Sequence, residues 1–161
     1  MLIGLLSDTH DHAERMARAV ELLLSKQVEA LIHCGDLCAG SMLELFPAAV
    51  PCFYVQGNND WAEELKPKPG QSHLHFLGEG ATLNLGGKRL AATHGHRPKV
   101  TQQLLDKQPT YLFRGHTHQP EDRQAGAVRW INPGALTRAR VLTVAVLDLT
   151  EDRLEYHEVE R

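Results

Sequence analysis

Five short apolar runs in this chain each stop at a residue able to hold a metal ion, and that repeated arrangement narrows the folds open to it. Met1–Ser7 ends in Asp8 and His10, Ala30–Cys34 in Gly35 and Asp36, and Cys52–Val55 in Gly57 and Asn58. Arg89–Thr93 ends in His94 and then His96, and Tyr111–Phe113 in Gly115, His116 and His118. Met1–Ser7 is apolar on both faces, the pattern of a strand covered on both sides. A helix follows, with Ala13, Met16, Ala17, Val20, Leu23 and Leu24 at spacings of three and four and a capping-box pair, Asp11 and Glu14, at its start. After a polar turn at Ser25–Gln27, Ala30–Cys34 is a second buried strand. Strand, helix and strand in that length form a right-handed crossover and imply a parallel sheet.

The remaining elements are read the same way. Ser41–Phe46 is a short helix stopped by Pro47, and Cys52–Val55 is a third parallel strand. Trp61–Gln71 lacks periodicity and holds two prolines and a glycine, so it is a surface loop. From Ala81 the pattern changes to a hairpin, Ala81–Leu85 and Arg89–Thr93 around Gly86-Gly87, which makes the second half partly antiparallel. Val100–Lys107 is a helix. Tyr111–Phe113, Val128–Ile131, Leu142–Leu149 and Leu154–Val159 are strands, the last two joined by a turn at Glu151-Asp152. The expectation is one α/β domain over residues 1–161.

Composition bounds the function. Seventeen Lys and Arg against twenty Asp and Glu give a net charge of -3, which argues against a dedicated nucleic-acid binder with its basic stripe. No run is long enough for a membrane span, and the apolar amino end reaches Asp8 too soon for a secretory segment. Cys34, Cys38 and Cys52 are an odd number with no export signal, so a disulfide framework is not expected, the compartment is expected to be the cytoplasm, and Cys34 and Cys38 read as small buried hydrophobes. Histidine is the outlier: ten residues, roughly two to three times the usual share.

In open α/β sheets the loops at the carboxyl ends of strands converge on one crevice. Residues two apart in an extended segment point the same way, which would aim Asp8 with His10, and His116 with His118, at common points. Carboxylates, an amide and imidazoles without thiolates are a donor set for divalent cations such as manganese, iron or zinc. Gly35, Gly57 and Gly115 allow the turns that bring backbone close to an ion. Other histidines read differently. His33 lies inside an apolar strand as a satisfied core residue, His12 is a surface residue at a helix start, and His157 is on the surface. His73 and His75 share a face that could reach the cleft rim, and Arg97, Lys99 and Arg114 are basic candidates near it.

The set Asp8-Thr9-His10, Gly35-Asp36, Gly57-Asn58-Asn59-Asp60, His94 and Gly115-His116-Thr117-His118 resembles the motif series of the calcineurin-like metallophosphoesterases. The short length, His94-Gly95-His96 and Asn132-Pro133-Gly134 are similar to the small subfamily of YfcE-type phosphodiesterases and the retromer subunit Vps29. The resemblance implies a four-layer α/β/β/α sandwich with mixed parallel and antiparallel sheets and a site for two divalent metal ions, manganese first, with iron, zinc, nickel or cobalt as alternatives. It implies that Asp8, His10, Asp36 and His118 hold one ion, that Asp36, Asn58, His94 and His116 hold the other, and that Asp36 bridges them. Asn59 stands where many members carry a catalytic histidine, and a neutral amide cannot donate a proton as an acid does. His96 is the nearest substitute, either as a group acting on the phosphate or as one that orients a ligand.

The activity implied is hydrolysis of a small phosphate ester, most of all a phosphodiester, with hydroxide as nucleophile. No Gly-x-Ser-x-Gly elbow points to a covalent route. The alternative is a protein-interaction scaffold of the same fold, as in the retromer subunit. No nucleic-acid or membrane partner is expected, and exposed edge strands leave room for a homo-oligomer.

Overall fold

Because side chains alternate across a strand, the apolar residues of each strand are dealt to two different faces, and the result is three separate apolar seams. The computed structural model describes residues 1–161. Strand β1 (Leu2–Leu6) leads into helix α1 (Ala13–Ser25), strand β2 (Ala30–His33), a 3-10 helix (Gly40–Leu45), and strands β3 (Cys52–Tyr54) and β4 (Leu74–Phe76). Then come β5 (Gly80–Leu85), β6 (Lys88–Thr93), α2 (Pro98–Leu105), β7 (Tyr111–Phe113), β8 (Glu121–Ala125), β9 (Val128–Asn132), β10 (Thr143–Asp148) and β11 (Arg153–Glu158).

The first sheet has the order β11-β10-β1-β2-β3-β4, with β1 to β4 parallel and β10 and β11 antiparallel. The second has the order β5-β6-β7-β9-β8, parallel at its centre and antiparallel at both edges. Ile3, Leu5, Ile32, Ala145 and Leu147 of the first sheet meet Leu90, Ala92, Tyr111, Phe113 and Ile131 of the second in the seam between the sheets. Leu6, Leu31, Cys52, Tyr54, Val144 and Val146 face the other way, onto Met16, Ala19, Val20 and Leu23 of α1 and Met42 and Leu43 of the 3-10 helix. Ala91 and Leu112 face Leu104 of α2. The layers are therefore helix, sheet, sheet and helix, the expected sandwich.

Three expectations change in detail. The buried stripe of α1 is Met16, Ala19, Val20 and Leu23, while Ala13 and Ala17 are exposed. Asp11 and Glu14 form no capping box: the helix is capped by His12 without a side-chain bond. Asp11 adopts a left-handed backbone, φ 61°, and accepts the Ala39 amide at 2.7 Å. Strand β8 was not expected, because Glu121-Asp-Arg-Gln-Ala carries no apolar alternation. It is an edge strand held by β9 alone, and Arg123 lies over the Trp130 ring at 4.4 Å. No helix is long and apolar enough to cross a membrane.

Candidate metal centre

The carboxyl ends of β1, β2, β3, β6 and β7 open onto one rim, and each delivers polar side chains there. The backbone bonds that tie these ends together are direct. Asp8 N–H donates to the Gly35 carbonyl at 3.0 Å, His10 N–H to the Asp36 carbonyl at 3.0 Å, and Gly115 N–H to the His94 carbonyl at 3.1 Å. The turns are tight enough that five of the seven expected ligands, Asp8, His10, Asp36, His116 and His118, have φ between 46° and 69°. That is a correction to the extended-segment expectation: left-handed turns aim these side chains, in a region that Asp and His tolerate better than most residues.

Close approach explains the glycines. Gly35 has φ 95°, whereas Gly57 and Gly115 are fixed by space. A Cβ on Gly57 would collide with the Asp36 carboxylate, and one on Gly115 with the Ser7 hydroxyl and the Asp8 carboxylate.

Two groups of donors have ligand atoms within 4.8 Å of one another: Asp8, His10 and His118, and Asp8, Asp36 and His94. Asp8 Oδ1 lies 3.0 Å from His118 Nε2. Asp36 Oδ2 lies 3.5 Å from His10 Nε2 and 3.4 Å from His94 Nε2, so one oxygen stands between two imidazoles. Asn58 Oδ1 is 3.1 Å from His94 Nε2. His116 is exposed, its ring centroid 5.1 Å from that of His94. His75 stacks on Phe53 at 4.7 Å on β4, and neither it nor His73 joins either group.

Hydrogen bonds orient both carboxylates, leaving one oxygen of Asp8 without any and engaging both oxygens of Asp36. Asp8 Oδ2 accepts from the Ser7 hydroxyl at 2.6 Å and from His116 N–H at 3.1 Å, while Oδ1 is buried without a hydrogen-bond partner. Asp36 accepts from the Asn59 amide N–H at 2.9 Å and its side-chain Nδ2 at 2.8 Å. Asn59 is thus a clamp on Asp36 in this geometry. Burial by itself would raise the Asp36 pKa, but the His94 bond and charge and the two Asn59 bonds hold it well below the usual carboxylate range. Burial likewise opposes a charge on His94, and the Asp36 bond and charge outweigh it and raise the ring's pKa. The pull that favours a proton between Asp36 and His94 favours any small cation there.

The imidazoles are oriented too. His94 Nδ1 donates to the Cys34 carbonyl at 2.8 Å, which fixes the tautomer and leaves the Nε2 lone pair facing the rim. His10 Nδ1 lies 3.6 Å from Cys38 Sγ, and its Nε2 is buried without a partner. Burial first, then the Arg138 charge, lower the His10 pKa against the pull of Asp36. Cys38 is half-buried and left-handed at φ 75°, not the buried hydrophobe expected, whereas Cys34 is fully buried as expected. Unpartnered buried Asp8 Oδ1 and His10 Nε2, in a set of carboxylate and imidazole donors, fit divalent cations.

Behind this rim stand residues whose roles the sequence did not disclose. Asp60, 7% exposed, accepts from the Asp36, Gly57 and Cys38 amides at 2.9, 2.7 and 2.6 Å, so one carboxylate shapes two ligand-bearing loops. Asn132 Nδ2 donates to the Gly115 carbonyl and Thr117 Oγ1, both at 3.0 Å, and holds the turn that carries His116 and His118. Both stand in motifs of the resemblance, Gly57-Asn58-Asn59-Asp60 and Asn132-Pro133-Gly134, which assign neither a role. His33 is the satisfied core residue expected: Gly35 N–H donates to its Nδ1 at 3.1 Å, so Nε2 carries the proton, 2.7 Å from Thr9 Oγ1.

His96 lies beside the centre, its ring centroid 5.4 Å from His94 and 6.2 Å from His116. Burial, followed by the charges of His94, Arg97 and His116, lowers its pKa. Of the basic residues expected near the cleft, Arg97 pairs with Glu79 at 3.0 Å, Arg114 pairs with Glu121 at 2.6 Å and lies over Trp130, and Lys99 is exposed on α2 without an ion pair.

The calcineurin-like phosphoesterase superfamily domain matches residues 1–152. Phosphodiesterase MJ0936 of Methanocaldococcus jannaschii is 30% identical, over 99% of this chain and 98% of that protein. The structure of a novel archaeal phosphodiesterase superposes with a TM-score of 0.87 at 25% identity, covering 98% of this chain and 99% of that one. Two further structures share the fold: YfcE from E. coli, with a TM-score of 0.69 and 20% identity over 99% of this chain and 100% of that one, and Vps29 from Entamoeba histolytica complexed with zinc, with 0.67 and 18% over 98% and 91%. With that match over nearly its whole length, the chain belongs to the calcineurin-like phosphoesterase superfamily and is a phosphoester hydrolase.

Proposed function

We propose that this chain, folded as one domain, is a phosphodiesterase that hydrolyses small phosphodiesters at a centre for two divalent metal ions. The observation that carries the reading is the pair of buried ligand atoms that make no hydrogen bond, Asp8 Oδ1 and His10 Nε2, at a rim where the donor atoms of Asp8, His10 and His118, and of Asp8, Asp36 and His94, lie within 4.8 Å of one another. Asp8, His10, Asp36 and His118 would hold one ion and Asp36, Asn58, His94 and His116 the other. The position of Asp36 Oδ2 between His10 and His94 supports its role as the bridge. When bound, the two cations supply Lewis-acid charge to the phosphate oxygens and the attacking water. Manganese suits this oxygen and nitrogen set, and the cytoplasm is the proposed compartment.

The chain's own residues do the orienting. Ser7 and the His116 amide turn Asp8 Oδ1 inward, Asn59 fixes Asp36, and the Cys34 carbonyl keeps the His94 lone pair available. Arg97 Nε donates to His96 Nε2 at 3.3 Å, so the proton of the neutral ring sits on Nδ1, which is buried without a partner. A neutral ring donates that proton as a hydrogen bond, and His96 Nδ1–H is proposed to contact a phosphate or leaving-group oxygen.

Purified protein with added manganese should turn over bis(4-nitrophenyl) phosphate, and Asp36→Asn should lose most bound metal together with activity. No turnover with any divalent metal would sink the enzymatic reading. Metal-dependent stabilisation without turnover would favour the scaffold alternative, since the Vps29 relative was solved with zinc.

A further inference from the structure

The loop between β9 and β10 passes one side of the histidine cluster, and it is anchored at both ends. Leu136 N–H donates to the Ser7 carbonyl at 3.2 Å, Thr143 Oγ1 to the Pro133 carbonyl at 2.8 Å, and Ala135, Leu136 and Thr137 are buried. From behind, the Arg161 guanidinium donates to the carbonyls of Ala139 at 3.0 Å and Arg140 at 2.9 Å. Between these anchors Arg138 and Arg140 stand exposed, Arg138 with φ 51°. Together with His118, Pro120 and Val141 they line a cavity of about 470 Å³ beside the metal centre.

These two guanidinium groups differ from the rest. Arg18, Arg97, Arg114, Arg123, Arg129 and Arg153 each pair with a carboxylate. Arg15, Arg89 and Arg161 donate to backbone carbonyls. Arg138 and Arg140 make no hydrogen bond or ion pair through their side chains, in a chain whose net charge is negative. Two unpaired planar forks on an anchored loop are suited to a phosphate, which guanidinium binds through paired hydrogen bonds. Pro120 and the partly exposed Val141 give the same cavity an apolar wall for the carbon skeleton between two phosphates.

We propose that the cavity beside His118 holds the arm of the substrate that is not cleaved, and that Arg138 and Arg140 bind a second phosphate on that arm. The substrate class is then a phosphodiester bearing a further phosphate group, a refinement that rests on the phosphodiesterase reading. Binding can be measured apart from turnover, by calorimetric titration of thymidine 3′-monophosphate and thymidine 3′,5′-bisphosphate into the manganese-loaded protein. The wild type should bind the bisphosphate at least about tenfold more tightly than the monophosphate. In the Arg138→Ala/Arg140→Ala double variant that ratio should fall to about threefold or less, and Arg138→Lys/Arg140→Lys should lie between, since lysine keeps the charge and loses the fork. Equal affinity for the two ligands in the wild type, or an undiminished ratio in the alanine variant, overturns the proposal. Failure of the phosphodiesterase reading would show separately, as absent turnover of bis(4-nitrophenyl) phosphate alongside an intact binding ratio.

Discussion

Asp36 and Asn59 show what a single residue can and cannot announce. Asp36 was legible because it ends an apolar run with a glycine before it. The Asn59 role was not, because two bonds to Asp36 depend on how the Gly57 loop folds back, and sequence spacing does not encode that. Asp11 misled for a related reason: its spacing to Glu14 suits a cap, yet its left-handed backbone turns the carboxylate toward Ala39. His33 was read correctly from its apolar neighbours, and its environment has a measurable effect. Burial pushes its pKa from 6.5 down to about 3, so between those values the unfolded chain binds a proton that the folded one does not. Stability is therefore fully present above about pH 6.5 and is lost as pH falls toward 3, at up to about 1.4 kcal/mol per pH unit. Chemical denaturation of wild type and His33→Gln between pH 4 and 6 should show a slope flatter by roughly that amount in the variant.

The strand-end loop is the element on which the site depends. Apolar runs with polar endings made β1, β2, β3, β6 and β7 readable, because burial on both faces dictates their composition. Strand β8 escaped because an edge strand facing solvent needs no apolar alternation, and its Arg123 contact with Trp130 forms only once β9 lies beside it. The loop after β7 is the tightest test of this packing. Gly115→Ala would drive a methyl group into Ser7 and Asp8. The expected result is a loss of about 1–3 kcal/mol in unfolding free energy, the usual cost of overpacking, with weaker manganese binding by calorimetry. Wild-type affinity in that variant would mean that the turn relaxes without moving Asp8. Leu5→Ala, in the seam between the sheets, should cost about 2–5 kcal/mol in the same denaturation assay and leave the strand-end loops to report any secondary loss of metal affinity.

At the scale of the whole molecule, the four layers were implied by the resemblance, while the partition of the chain into two sheets needed the register of β10 against β1. The two sheets contribute unlike groups to one rim: Asp8, His10, Asp36 and Asn58 come from the first, and His94, His116 and His118 from the second. Ions held only by the folded chain should stabilise it, by about 2.7 kcal/mol when free manganese is a hundred times its dissociation constant. Urea denaturation with and without manganese would measure this, and Asp36→Asn should abolish the difference. On the proposed ligand set both carboxylates lie on one sheet and most of the imidazoles on the other, so each ion would act as a rivet driven through the joint between two plates. Force applied across that joint should then meet its highest resistance at the loop ends and not in the apolar middle. Amide exchange in β6 and β7, the strands of the second sheet whose ends carry His94, His116 and His118, should slow when manganese is added.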